Sequence, residues 1–375
     1  MQDENNNIVN EPDVEYEDLS GALMEKPFDP NKIDITTKTP SIDILIKRLK
    51  AEPAEIDLSP AFQRHSDLWD DEKQSRLIES ILIKFPLPAF YFDGSDNNKW
   101  LVVDGLQRLS SLRNFIILKK LKLKGLEFLR QLNGMKFDDL PRSLQRQIEE
   151  TQITAYIIND GTPEEVKFNI FQRINTGGLT LNSQEIRHAL NQGIPAKFVA
   201  ELAELEEFKM ATDEALKPKR MLDREFVTRF LAFYLHPHHE YIPDLDTYMN
   251  SAMGELKKMD EFQRQKIKSD FIHSVLLAKS IFGEWAFRKA DKYPDKRKPI
   301  NKALFEVWSV SLARLDEVQR NKLENNKEIL FNKSIELVKE DATFFDSITT
   351  STGNKSSVYY RFSSIEKIIQ ETLEA

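Results

Sequence analysis

Lys99-Trp-Leu-Val-Val-Asp-Gly-Leu-Gln-Arg-Leu-Ser-Ser-Leu-Arg113 predicts a strand that runs directly into a helix. Residues 100–103 include an aromatic side chain, Trp100, and two β-branched ones, Val102 and Val103, which favours a buried strand. Apolar residues then recur at the spacing of one helix face: Leu109, Leu112, Phe115 and Ile116. Asp104 and Gly105 lie between these two elements and form the predicted turn. A strand, a tight turn and a helix are therefore expected at the centre of the fold.

The predicted turn has the chemistry of an anion-binding site. Gly105 lets the backbone bend sharply and lets a ligand approach without a Cβ in the way. The first turn of the following helix offers free N–H groups and the positive end of the helix dipole. Arg108 lies one turn into the helix, where it can reach a bound phosphate or pair with Asp104 acting as N-cap. The residues alone leave both interpretations open.

Val102-Val-Asp-Gly-Leu-Gln-Arg-Leu-Ser-Ser-Leu112 resembles a known signature. It is similar to the Asp-Gly-Gln-Gln-Arg motif at the N-terminus of GmrSD-type, modification-dependent restriction enzymes, a branch of the ParB/sulfiredoxin-like superfamily. Three further stretches resemble other blocks of the same family: Phe62-Gln-Arg…Trp69, Glu79-Ser…Pro86-Leu-Pro88, and Phe171-Gln-Arg-Ile-Asn-Thr-Gly-Gly…Glu185. One position departs from the pattern, because Leu106 stands where the family has its first glutamine.

The resemblance implies a site for a nucleoside triphosphate, with hydrolysis and Mg²⁺ as further options. It assigns catalytic roles to Asp104 and Arg108, with Asp104 positioning a metal-bound water or an arginine. It also implies a set of nucleotide-binding residues: Gln63, Arg64, Gly105, Gln107, Arg108, Arg173 and Asn175. No protein ligand to a metal is assigned. Since Leu106 lacks the amide of the family glutamine, hydrolysis is less strongly implied than binding.

Two of these residues have structural alternatives. Arg64 lies close in sequence to three acids with which it can pair on the surface: Asp67, Asp70 and Asp71. Asn175 precedes Gly177-Gly178, and this pattern fits a helix C-cap with Asn175 in a left-handed turn. It also fits a flexible turn that closes over a ligand, and both interpretations of Asn175 can hold at once.

Composition and charge limit the class of protein. The chain has 375 residues and no cysteine, which excludes disulfides, thiolate metal sites and thiol nucleophiles. Residues 1–30 contain nine acidic residues and one lysine, so they carry the whole net charge of −8. The neutral remainder argues against a dedicated nucleic-acid domain with a broad basic face. No bilayer-spanning run or signal sequence is recognised, so we expect a cytoplasmic protein with no membrane partner.

The predicted fold class is α+β. Residues 1–34 are predicted to be an acidic, disordered tail, and 35–190 a ParB/sulfiredoxin-like nucleotide-binding domain with a small mixed sheet. Within it, Thr162-Pro-Glu-Glu165 predicts a capping box that begins a helix. An all-α domain is expected over 191–375, where helical periodicity dominates. The stretches Arg220-Met-Leu-Asp…Phe233 and Ser351-Thr-Gly-Asn…Tyr360-Arg-Phe362 resemble later blocks of the same family.

The sequence lacks the motifs of several other enzyme classes. There is no Walker-type glycine loop, Gly-x-Ser-x-Gly elbow or dinucleotide fingerprint, and the C-terminal half lacks the His-Asn-His nuclease pattern of GmrSD enzymes. The histidine cluster His236-Pro-His-His239 has no carboxylate at a spacing that completes a metal site. Lys119-Lys-Leu-Lys-Leu-Lys124 fits a solvated basic face, with contact to nucleic acid as the alternative.

Three functions therefore remain open. The first is a nucleotide-binding protein, with NTPase activity as an option, in a GmrSD-like restriction or anti-phage defence system. The second is a non-catalytic protein that binds a partner such as a nuclease and keeps a vestigial pocket. The third is a ParB-like nuclease that acts on DNA.

Overall fold

A computed structural model describes residues 13–18, 29–58, 69–96, 98–174, 181–290 and 298–375. The chain divides into two compact units, one formed by residues 28–190 and the other by residues 191–375 together with the segment before residue 28. The strands of the first unit are β1 (Ile35–Lys38), β2 (Ile56–Asp57), β3 (Phe90–Asp96), β4 (Lys99–Asp104) and β5 (Ala155–Ile158). Its α-helices are α1 (Ile42–Lys50), α2 (Asp71–Leu82), α3 (Leu106–Leu112), α4 (Arg142–Glu150), α5 (Glu164–Ile174) and α6 (Ser183–Leu190).

The strands form one mixed sheet in the order β1-β5-β3-β4-β2. The outer pair β1 and β5 is antiparallel, as is the hairpin of β3 and β4, while β5 with β3 and β4 with β2 run parallel. The α+β class with a small mixed sheet is thus confirmed. The finer ParB/sulfiredoxin-like arrangement stays a prediction.

Helices cover both faces of this sheet. Successive residues of a strand point to opposite faces, and β4 follows this rule. Trp100 and Val102 lie in the larger core with apolar residues of α1 to α4. Val103 points the other way and packs with Phe168 and Phe171 of α5. The turn that follows β4 therefore lies at the end of a buried strand, between two packed layers.

Local signals in the sequence fix several helix starts. The side chain of Asp70 accepts a hydrogen bond from the N–H of Lys73 at 2.8 Å, and Asn182 and Glu185 form a reciprocal capping box with two bonds of 2.8 Å. The capping box predicted at Thr162 is wrong in detail, although α5 begins there as expected. The Thr162 hydroxyl instead exchanges two 3.0 Å bonds with the backbone of Asp34, which anchors the chain before β1.

The described secondary structure of the second unit is helical apart from isolated bridges at Val14, Arg288 and Ile300. Its α-helices are α7 (Ile194–Ala203), α8 (Glu206–Ala211), α9 (Leu222–Leu235), α10 (Leu245–Leu256), α11 (Glu261–Phe282), α12 (Lys302–Ala313), α13 (Glu317–Asn325), α14 (Lys327–Glu340), α15 (Ala342–Thr349) and α16 (Lys355–Glu374). They enclose one continuous apolar core rich in phenylalanine. Across the described residues of both units, we find no helix with the length and apolar character needed to cross a membrane.

The predicted acidic tail needs a correction over residues 13–18, which we call the arm. Val14 forms a parallel bridge with Ile300, just before α12. The N–H of Glu15 donates to the carbonyl of Ile300 at 2.8 Å, and the N–H of Thr352 donates to Asp18 at 3.0 Å. The arm is therefore part of the helical unit. Two of its acids, Glu15 and Glu17, pair with cations of the unit, which offsets the repulsion between them.

Candidate functional site

The turn between β4 and α3 is closed by Gly105, which has a positive φ of 103°. A Cβ at this position would lie 2.5 Å from Cδ1 of Phe90. Both the backbone angle and the space therefore require glycine. The α-helical residues of α3 continue into a π-helical turn at Arg113–Ile117, so the helix that starts here is longer than α3 alone. Gly105 is the N-cap of this helix, so the interpretation of Asp104 as N-cap is wrong, and the Asp104 carboxylate instead accepts a bond from Arg108.

Arg108 is buried and holds this turn to the neighbouring strand. Its Nη2 donates to Oδ2 of Asp104 at 2.7 Å and to the carbonyl of Ala89 at 3.1 Å. Its Nη1 donates to the carbonyl of Pro88, and the guanidinium lies 4.3 Å from the ring centroid of Phe90. Only 8% of the Arg108 surface is exposed. These contacts use three of the five N–H groups that a guanidinium carries, so two are left for other acceptors.

Burial perturbs both members of this ion pair. It raises the pKa of the Asp104 carboxyl above its ordinary value, although the Arg108 guanidinium and the N–H of Gly105 act in the opposite direction. It also lowers the pKa of Arg108, and the Asp104 carboxylate partly offsets that effect. Each charge therefore depends on the other, because neither is well solvated. The sequence left open whether Arg108 pairs with Asp104 or reaches a phosphate, and the structure contains the pair.

Gln107 faces the start of α2. Its Oε1 accepts a hydrogen bond from the backbone N–H of Trp69 at 3.2 Å. About two turns further along, the buried Asn114 donates to Oε1 of Gln74 on α2 at 2.9 Å. Helix α2 and the residue before its N-cap are thus tied to the helix that follows the glycine turn. Gln63 and Arg64 themselves lie outside the described residues.

Two tyrosines beside Asp104 were not predicted as site residues. Tyr91 is the cross-strand partner of Asp104 and also pairs with Tyr156 on β5. The two tyrosine rings are stacked, with centroids 4.9 Å apart. Burial, together with Tyr156 and Asp104, raises the pKa of the Tyr91 hydroxyl, so it stays protonated. The period of two in each strand places these rings on one face, but the sequence does not reveal that β3 and β5 are neighbours.

The structure shows no hydrogen bond or ion pair between the turn and the remaining predicted site residues that it describes. Arg173 lies in the last turn of α5 and is exposed. Within residues 98–174, no ion pair or hydrogen bond joins it to Asp104 or Arg108. Asn175 and the Gly177-Gly178 turn lie outside the described residues. The structure thus brings together Asp104, Gly105, Gln107 and Arg108 around one turn.

Comparison with known proteins bears on this turn and its surroundings. Residues 45–191 match the family model described as GmrSD restriction endonuclease, N-terminal domain. This segment is therefore similar to the N-terminal domain of GmrSD-type restriction enzymes. The match confirms the resemblance that the sequence around Asp104 to Arg108 indicates, and it includes all the predicted site residues. No curated protein and no solved structure matches the chain.

The matched segment spans about two fifths of the chain. The α-helices that the structure describes in the second unit, from α7 onward, lie beyond the matched residues. The resemblance of the stretches at 220–233 and 351–362 to later blocks of the family therefore stays a prediction. Among the residues that the structure describes, no group of three His, Asp or Glu side chains is placed to hold a metal ion.

Proposed function

We propose that this chain is a nucleotide-binding component of a GmrSD-like restriction system, with the nucleotide phosphates at the turn between β4 and α3. The match to the GmrSD N-terminal domain supports the restriction context. The observation that carries the nucleotide assignment is the left-handed, Cβ-free turn at Gly105, which opens a helix beside a buried arginine. Free N–H groups at a helix start, together with a guanidinium, suit a phosphate.

Each residue of the turn then has a distinct role. The N–H groups after Gly105 bind phosphate oxygens. Arg108 adds charge-assisted bonds to the phosphate through the two N–H groups that its described contacts do not use. Asp104 keeps Arg108 oriented through the 2.7 Å bond. A single carboxylate beside phosphate oxygens is also a donor set that Mg²⁺ accepts. Leu106 is buried and apolar, so no amide side chain is present there to orient a water. We therefore propose binding more firmly than hydrolysis.

A second function is favoured by one specific observation. Three N–H groups of Arg108 already bond to this chain, and its surface is almost fully buried. An arginine used in this way stabilises a turn without any ligand. If nucleotides do not bind, the domain is a scaffold that holds a partner of the restriction system, and the pocket is vestigial.

The first test is a calorimetric titration of the wild-type chain with each of the four NTPs, with and without Mg²⁺. Arg108→Lys keeps a cation but cannot bridge three acceptors. We expect this variant to bind nucleotide at least tenfold more weakly, because a hydrogen bond to a charged group contributes about 1.5–3 kcal/mol. Arg76→Lys is the matched control, because Arg76 is half exposed on α2 and pairs only with surface acids. Its affinity should equal that of the wild type.

The outcomes separate the proposals. Equal binding by the wild type and by Arg108→Lys would refute the site while leaving nucleotide binding intact. Absence of binding by the wild type would refute the nucleotide function and favour the scaffold. Arg64→Ala adds a test of the family resemblance alone, and phosphate release from bound NTP distinguishes an NTPase from a sensor. Cleavage of plasmid DNA by the chain alone would instead support the nuclease alternative.

A further inference from the structure

The arm, residues 13–18, lies extended along the helical unit. Its backbone is held at both ends, by the N–H of Ile300 donating to the carbonyl of Asp13 at 3.0 Å and by the N–H of Thr352 donating to Asp18 at 3.0 Å. Between them, the N–H of Glu15 donates to Ile300 at 2.8 Å. Such backbone bonds hold any extended peptide, because they involve no side chain of the arm.

Two acidic side chains of the arm, Glu15 and Glu17, have described bonds to charged side chains of the groove. Both carboxylate oxygens of Glu17 bond to Arg229 on α9, one of them at 3.0 Å, and one also accepts from the Thr352 hydroxyl at 2.8 Å. Glu15 pairs with Lys289 and accepts from Nδ2 of Asn301 at 2.9 Å. Tyr16, between them, is 89% exposed. The groove therefore recognises two carboxylates two residues apart and ignores the residue between.

The helical unit cannot leave this groove empty without cost. Arg229 and Arg361 lie on either side of Glu306, and all three are buried. Lys302 and Glu225 complete the cluster, with Nζ of Lys302 2.7 Å from Glu225 and 3.8 Å from Glu17. Without the arm, three cations therefore face two carboxylates. Glu17 supplies the missing negative charge. Loss of the arm would leave a buried positive charge uncompensated, which is strongly unfavourable.

We propose that this groove is a binding site for an extended acidic segment of another protein, and that the arm is the occupant which that segment displaces. The segment carries two carboxylates in an acidic-x-acidic pattern, because Glu15 and Glu17 are the acidic side chains of the arm with described bonds to the groove. Exchange is expected rather than simple release, since the cluster needs an anion. Any free competitor must offset the advantage that the tether gives the arm, and we assign this role to a segment of a different protein that adds contacts outside the groove.

The direct test uses a fluorescent peptide with the sequence of residues 10–20 and the full chain. In the variant Glu15→Gln/Glu17→Gln, the tethered arm no longer supplies the carboxylates. We expect the peptide to bind this variant at least tenfold more tightly than the wild type, whose own arm competes at high effective concentration. Asp13→Asn is the matched control, because the Asp13 side chain is exposed and has no described ion pair. It should behave as the wild type.

A peptide in which both glutamates are replaced by glutamine should not bind. Equal binding of the two peptides, or equal affinity for the wild type and the double variant, would overturn the proposal. A concentration-dependent dimer that excess peptide dissolves would assign the groove to arm exchange between copies, which also overturns it.

A second measurement needs no variant and so does not depend on the folding of one. Hydrogen exchange of the wild-type chain is followed with excess glutamate peptide. Displacement should speed exchange at the N–H of Glu15 by at least tenfold, while the N–H groups of Ile300 and Thr352 stay protected because the peptide accepts their bonds. Unchanged exchange at Glu15 would overturn the proposal. Loss of protection at all three N–H groups would also overturn the proposal, because it would mean that the groove is empty.

Discussion

Glu306→Gln should be among the most destabilising conservative changes in this chain. Glu306 is 0% exposed and lies on α12 between two arginines. Its Oε2 is 3.0 Å from Nη1 of Arg229, and its Oε1 pairs with Nη2 of Arg361. Arg361 is equally buried and donates its other bonds to the carbonyls of Ser347 and Thr352 at 3.2 and 2.8 Å. Glutamine has nearly the same shape as glutamate, so the change removes charge rather than volume.

The magnitude follows from what remains after the change. Two buried guanidinium groups would lose their shared carboxylate, and removing one partner of a buried ion pair costs about 3–5 kcal/mol. The total stability of a domain is roughly 5–15 kcal/mol. In a unit of this size each kcal/mol shifts Tm by about 2–4 °C. We therefore expect Tm of the helical unit to fall by roughly 6–20 °C.

The assay is thermal unfolding followed by circular dichroism, supported by urea denaturation at 25 °C. The control is Glu72→Gln. Glu72 forms a half-exposed pair with Arg76 one turn along α2, at 3.0 Å, and such surface pairs contribute about 0–1 kcal/mol. If Glu306→Gln lowers the free energy of unfolding by no more than this control, the cluster is not held together as described here.

Three further predictions concern single residues. In urea denaturation, Gly105→Ala should lower the free energy of unfolding by about 1–3 kcal/mol more than Gly134→Ala does. Both glycines have positive φ, but only a Cβ at Gly105 would overlap Phe90. Equal losses for the two variants would contradict this prediction. Burial alone would raise the pKa of Glu79, but three backbone N–H groups that bond to its carboxylate lower the pKa below its ordinary value. Glu79→Gln should therefore lower the free energy of unfolding by about 2 kcal/mol at pH 7. The loss should become smaller as the pH falls below 4.5, because the wild-type carboxylate is then protonated too. Burial lowers the pKa of His238 to about 4. The folded chain should therefore lose up to about 3 kcal/mol between pH 6.5 and 4, and a pH titration of stability should show His238→Phe without this loss.

The parts of the fold that sequence predicts well depend on contacts between residues close in the chain. The Asp70 cap joins residues three apart, and so does the capping box at Asn182. The ion pair of Asp104 with Arg108 spans four residues, which is one helical turn. Gly105 is likewise recognisable, because a sharp bend between a strand and a helix requires its missing Cβ. The glycine turn and the possible pairing of Asp104 with Arg108 were expected from the sequence, with Arg108 keeping two alternatives.

The choice between those alternatives depends on residues that are far away in sequence. The carbonyls of Pro88 and Ala89 lie about twenty residues before Arg108 and reach it only because β3 lies beside β4. Tyr91 meets Tyr156 for a similar reason, since β3 and β5 are neighbours in the sheet. Carbonyl acceptors leave no mark in a sequence, because every residue has one. No pattern around Asp104 could therefore show how many N–H groups of Arg108 the fold would use.

The arm shows a different limit of sequence reasoning. An excess of acids in residues 1–30 predicts self-repulsion and disorder, and this holds when a segment is considered by itself. However, order depends on the charge that each acid meets in the fold. Glu17 meets Arg229, which is 212 positions away, in a cluster whose remaining residues are one negative charge short. The net charge of residues 31–375 is zero and does not reveal this local shortage of negative charge, because excess cations in one place are balanced by excess anions in another. A buried arginine with too few acidic neighbours would therefore indicate that a further acidic segment binds there. This shortage of acids can be recognised only when the packing of the helices is known.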